Sequence, residues 1–212
     1  MNKTRLEAFS DGVFAIAMTI LVFDVKLPDV AGIMTNAQLW YTLGALWPLI
    51  TSFALSFLVL AVFWINHNFL FHSFTKGIDR YLNLMNMVYL MFIAFVPFAA
   101  HLFGTYPRLQ PAALVYGVTI LAIVFLMRVM VIHVRKRPEL SREVSPRVLR
   151  QATIRANVTI ISYILGIIAS FVFIPVSVFF YLFPLIFNII PGTLNLIENL
   201  FGLDFGPAEE SA

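Results

Sequence analysis

Arg5-Leu-Glu-Ala-Phe9-Ser10-Asp11-Gly12-Val13-Phe14-Ala15-Ile16-Ala17-Met18-Thr19 decides how this chain is read. The segment stays apolar as far as Phe23, yet it carries a carboxylate, Asp11, inside its hydrophobic span. A charge there is costly in hydrocarbon, so it needs a partner or a water-filled cavity and marks a functional site by default. The rest of the sequence supplies the hydrocarbon. Of 212 residues, 60% are hydrophobic and only 12% charged, against about 25% charged in an ordinary soluble domain.

Runs free of Asp, Glu, Lys and Arg cover residues 30–75, 81–107, 109–127 and 156–197, and a spanning helix needs about 20 mostly apolar residues. The first run exceeds one span and includes an outer loop around residues 32–36, whereas the last holds two spans broken near Pro175. The expected fold is an all-α integral membrane protein with six transmembrane helices, at residues 5–27, 39–74, 81–103, 111–134, 146–174 and 177–190. Residues 1–212 are expected to form one such domain. Pro184 and Pro191 interrupt the sixth helix, and the amphipathic stretch at 193–201 suits the membrane surface.

Lysine and arginine are retained on the cytoplasmic side, and an even number of helices puts both termini together. With the termini inside, the inner segments hold eleven basic residues: Lys3, Arg5, Lys76, Arg80, Arg135, Lys136, Arg137, Arg142, Arg147, Arg150 and Arg155. The outer loops hold two, Lys26 and Arg108. A multi-pass cell-membrane protein with both termini cytoplasmic is the expectation. The positive-inside bias accounts for the basic block between the fourth and fifth helices without any lipid-specific contact, although that block could also touch anionic headgroups.

Several function classes are excluded. Glu7 and Asp11 interrupt the first apolar region and no small-residue cleavage site follows, so the first helix is not read as a signal peptide. Thr4 with Glu7 three residues later predicts a capping box at its start. There is no cysteine, which removes disulfides, thiolate metal sites and cysteine catalysis. No Gly-rich phosphate loop and no nucleophile and base at a catalytic spacing occur, so neither an enzyme, a cofactor nor a nucleic-acid partner is expected. His67 and His72 are five apart, not the four that would align two imidazoles for a metal.

At about 100° per residue, Gly12, Ile16, Ile20, Phe23 and Leu27 form one stripe with Thr19 at its border, and Asp11 lies about 140° from Ile16. Periodicity alone allows this stripe to face lipid, another helix or a pore. Depth gives a second pattern. Asp11, His67 and Arg128 all fall about 10 Å inward from the cytoplasmic helix ends at 1.5 Å per residue, with Asn66, Asn68, Asn83, Asn86 and Asn157 in the same half. Polar groups in hydrocarbon need partners, so one hydrogen-bonded network around Ser10 and Asp11 is predicted. As a scaffold it would hold the first helix in place. The alternative is an ion-coupled secondary transporter using Asp11, His67 and Arg128, against which stand the lack of an internal repeat and of paired broken helices.

The opening segment resembles the first helix of the transmembrane protein 175 family of potassium channels, which carries an arginine followed by Phe-Ser-Asp. The resemblance extends to the six-helix plan and to Trp64-Ile-Asn-His67. It implies a potassium-permeable cation channel with a hydrophobic constriction at Ile16, further rings at Ile20 and Phe23, and a pore-facing Thr19. It also implies a homotetramer, since family members with one six-helix repeat assemble so. Arg5, Phe9, Ser10, Asp11, Trp64, His67 and Arg128 are the candidates for the supporting network. Phe23 departs from the smaller aliphatic residue expected there. No Thr-Val-Gly-Tyr-Gly carbonyl filter is present, which leaves pore diameter, dehydration at apolar rings or the Thr19 hydroxyls to set selectivity.

Overall fold

The computed structural model describes residues 2–27 and 34–189, so Pro191 and the stretch at 193–201 lie outside the described residues. Helix α1 (Lys3–Ile20) starts two residues earlier than a Thr4 cap would allow. Asn2 is the cap, its side-chain oxygen accepting the Thr4 N–H at 3.3 Å. Thr4 is thus the capped residue and not the cap, and Glu7 faces Lys3 at 3.8 Å instead of closing a box. At its far end α1 tightens into a 3-10 turn, Leu21–Asp24.

The predicted second helix is divided. A short α2 (Asn36–Ala45) and a long α3 (Trp47–Asn68) meet at Leu46, a turn residue with φ −78° and ψ −6°. Pro48 explains the restart, because a residue without an N–H fits the first turn of a helix but not its interior. Thr35 and Gln38 cap α2 reciprocally. None of the residues of α2 is buried, and Trp40 and Tyr41 stand exposed, as suits amphipathic rings at the headgroup level. Helix α3 ends in a π turn, Phe69–Phe74, closed by the Thr75 hydroxyl donating to the Leu70 carbonyl at 2.7 Å.

Helices α4 (Arg80–Thr105), α5 (Gln110–Arg135), α6 (Pro146–Ser170) and α7 (Ile174–Ile189) follow. The break between α6 and α7 spans residues 171–173, and Pro175 takes the second position of α7, where its missing donor costs nothing. Pro184 does not end α7, which runs on to Ile189. Among the described residues, five helices are long and apolar enough to cross a bilayer. The shorter α7, with 16 residues, reaches about 24 Å of a hydrocarbon layer of about 30 Å. The fold is all-helical and multi-pass.

Helix α4 sits centrally, packed on α1, α3 and α5, while α6 bridges α5 and α7. The second half closes around Tyr181. A Cβ at Gly166 would come within 2.5 Å of that ring, so only glycine lets α7 approach so closely. The Tyr181 hydroxyl donates to the Ala113 carbonyl at 3.0 Å, and its ring stacks on Tyr163.

One end of the bundle is tied together by polar contacts. Thr75 and Ser141 form an antiparallel bridge, flanked by Lys76 N–H to Leu140 O at 2.7 Å and Arg142 N–H to Phe74 O at 2.8 Å. Lys3 donates to the Thr75 carbonyl at 2.8 Å. Asp79 caps α4 through the Leu82 N–H at 2.7 Å and meets His133 at 2.7 Å and Arg137 at 3.5 Å. Burial works against its charge, but the Leu82 N–H, His133 and Arg137 outweigh it and hold the carboxyl below the usual aspartate value.

Candidate functional site

Helix α1 has two unlike faces. Leu6, Ser10, Phe14, Ala17 and Leu21 are buried against the bundle, at the spacing that aligns one helical stripe. On the other side Gly12, Ile16, Thr19, Ile20 and Phe23 are exposed, Ile16 at 60% and Phe23 at 66%. A Cβ built on Gly12 would touch nothing. The Thr19 hydroxyl donates to the Ala15 and Ile16 carbonyls at 2.9 and 3.0 Å. Its hydrogen is used inside the helix, so its oxygen turns only acceptor character outward.

Behind the buried face lies a buried polar node. Ser10 donates to the Leu6 carbonyl at 2.9 Å, which leaves its oxygen to accept from the Asn86 amide nitrogen at 3.1 Å. That orientation points the Asn86 carbonyl oxygen at His67 Nε2, 2.8 Å away, so Nε2 carries the proton. The imidazole is enclosed by the rings of Phe14, Phe71 and Tyr89, with Tyr89 stacked on it at 5.5 Å. Three helices, α1, α3 and α4, thus meet in a single hydrogen-bonded chain, and the π turn adds the Phe71 ring against it. At the surface of the same region, the Trp64 indole N–H donates to Asp11 at 2.8 Å and pins α1 to α3.

The predicted network is only partly assembled. Ser10, Asp11, Trp64 and His67 come together, but Asp11 is exposed in the protomer and is not turned back into the bundle. Arg5 and Phe9 are exposed as well, Phe9 on the outward side of α1. Arg128 is elsewhere, donating to Thr153 of α6 at 3.2 Å. Equal depth does not bring residues together when their helices turn them to different sides, and so the transporter trio Asp11, His67 and Arg128 does not converge. Asn86 and Tyr89 are the residues that sequence reasoning underweighted. Their signal was the stripe Leu82, Asn86, Tyr89, Ile93 at buried helical spacing on α4. Asp79 was missed too, although an aspartate just before an apolar run is a helix start. No group of His, Asp and Glu fit to hold a metal occurs among the described residues.

A helical bundle with several spanning helices, an apolar outward face on its first helix and a polar node locked behind it defines a multi-pass membrane protein. Residues 5–97 match the family model for the endosomal/lysosomal potassium channel TMEM175. A potassium channel of Streptomyces collinus is 34% identical over 84% of this chain and 87% of its own. One from a Chryseobacterium is 31% identical over 89% of this chain and 94% of its own. A crystal structure of a lysosomal potassium-selective channel TMEM175 homologue from Chamaesiphon minutus superposes with a TM-score of 0.75 at 31% identity, over 88% of this chain and 95% of that one. The chain belongs to the TMEM175 family, a family of ion channels and not of enzymes.

Proposed function

We propose that this chain is a potassium-permeable cation channel of the cell membrane, built from four copies of one six-helix domain with α1 of each copy lining the axis and both termini cytoplasmic. The observation that carries this reading is the outward face of α1: large apolar side chains at Ile16, Ile20 and Phe23 stand unpartnered beside a hydroxyl oxygen at Thr19. One copy cannot enclose a conduit, but copies around an axis can. The names of the relatives support potassium as the ion, and the basic residues tied together at one end of the bundle support an inward-facing N terminus.

In this arrangement the isoleucines at position 16 form a narrow apolar ring, which gates by dewetting because an ion cannot shed water where nothing replaces it. Phe23 remains outward even though the 3-10 turn rotates it relative to a regular helix, so it forms a wider apolar vestibule ring. Thr19 offers oxygens of the correct polarity for a cation. Planar bilayer recording of reconstituted protein under asymmetric potassium and sodium tests the reading, with a reversal potential towards the potassium equilibrium value expected. Ile16→Asn should wet the ring and raise open probability while the oligomer survives chromatography. Wild-type currents in a well-assembled Ile16→Asn protein would remove Ile16 from the pore. Thr19→Val, which keeps shape and deletes the oxygen, should weaken potassium preference, and an unchanged reversal potential would assign selectivity to the apolar rings.

A further inference from the structure

We propose that the cavity enclosed by α3, α5, α6 and α7 is a binding site for one anionic phospholipid drawn from the leaflet at the basic end of the bundle, its phosphate on Arg128 and Arg155 and an acyl chain among the apolar walls. The cavity measures about 430 Å³ and lies apart from the outward face of α1. Its walls include Val62, Phe63, Leu70, Val124 and Met127, while Arg128, Arg135 and Arg155 all reach its lining. Among the described residues, no aspartate or glutamate lines it. Three cations beside an apolar volume of this size, with no carboxylate among its described walls, are the electrostatic complement of an anionic amphiphile.

The donors support a phosphate in particular. Arg128 gives one N–H to Thr153 at 3.2 Å, and Arg155 gives one to the Asn188 carbonyl at 3.0 Å. A guanidinium has five donors in a rigid fork, so each arginine keeps most of its fork for a bidentate oxyanion. Thr153 and the Asn188 carbonyl also hold the two side chains in place before any ligand arrives. Arg128 stands seven residues before Arg135, about 10 Å further from the helix end, at a depth where an unmatched cation is costly. A phosphate pulled below the headgroup plane offsets that cost. A free anion would leave the apolar walls unfilled, and a neutral lipid would leave the arginines unmatched, whereas one anionic lipid satisfies both halves.

The test is native mass spectrometry of the full chain released from phosphatidylcholine nanodiscs that contain or lack phosphatidylglycerol. Wild-type protein should retain one phosphatidylglycerol per chain in preference to phosphatidylcholine. Retention should fall by about fivefold for each of Arg128→Gln and Arg155→Gln. Ala156→Phe fills the cavity from α6 while leaving every charge in place, and it should lose the lipid as fully as the arginine variants do. This second variant keeps the question answerable if the arginine variants fail to fold, and gel filtration reports which have done so. Lys136→Gln, a basic residue that does not line the cavity, should retain wild-type binding. Equal retention in wild type and Ala156→Phe would overturn the site, as would an equal loss in Lys136→Gln, which would mean diffuse surface attraction. Displacement of phosphatidylglycerol by inorganic phosphate alone would overturn the lipid and leave a free-anion site. None of these readouts uses ionic current, so the result stands or falls separately from the channel reading.

Discussion

Two polar clusters sit at the same depth in this bundle, and they are opposite in kind. Around His67 every hydrogen bond is closed inside the protein, from imidazole to Asn86 to Ser10 to the Leu6 carbonyl, with aromatic rings on three sides. Around Arg128 the arginines each spend one donor on the protein and face an open volume of about 430 Å³. The first cluster is a fastening, because its bonds between side chains run only from one helix to another, even though the Tyr89 hydroxyl beside it is buried without a partner. The second has valence to spare, which is what a ligand site requires. The fastening lies within residues 5–97, the part that matches the family model, and the cavity lies mostly on α5 and α6 beyond it.

The sharpest way to break this comparison is to remove one member of each cluster. Asn86→Leu keeps the volume roughly constant but strands the buried His67 N–H and takes a donor from Ser10, so a loss of about 2 kcal/mol is expected. Thermal unfolding in detergent followed by gel filtration measures it, and Arg128→Gln in the same assay should cost no more than about 0.5 kcal/mol. If the two variants melt together, the node is no more a fastening than the cavity is.

A smaller effect is expected at the surface link between α1 and α3. Trp64→Phe retains the ring and deletes the donor to Asp11, leaving an acceptor that is exposed in the protomer, and about 1 kcal/mol is the expected loss. Asp11→Asn keeps an acceptor for the Trp64 N–H and removes only the charge, so it should cost less in the single chain. If either variant also dissolves the oligomer on light scattering, the pair lies at a contact between copies, and the node and the link serve different levels of assembly.

The smallest effect concerns pH and the tie at Asp79. Its carboxyl is held below the usual aspartate value in the folded protein. The corresponding stability is therefore fully present above the unfolded value of about 3.9 and is lost as pH falls through the folded value. Asp79→Asn keeps the cap on α4 but removes the charge facing His133 and Arg137, so it should flatten this acidic limb at a cost below about 1 kcal/mol near neutrality. Melting curves across the acidic range check it. An unchanged acidic limb in Asp79→Asn would assign that limb to other carboxylates.

Composition and periodicity determined a great deal about this protein. Apolar runs of spanning length, the basic bias of one set of loops and the charge within the apolar span of the first helix together specified an all-helical membrane bundle and pointed to α1 as its functional element. The exposed stripe of Ile16, Ile20 and Phe23 was legible because a helix imposes a fixed angle per residue. The division of the second helix at Leu46 was not, since Pro48 can either kink a helix or open a new one, and only the path of the neighbouring chain selects between them. Depth along each helix could likewise be counted, because the rise per residue is constant. The rotation of one helix against another is set by side-chain packing between segments far apart in sequence, and that rotation put Asn86 beside His67 while sending Arg128 to a cavity on the other side.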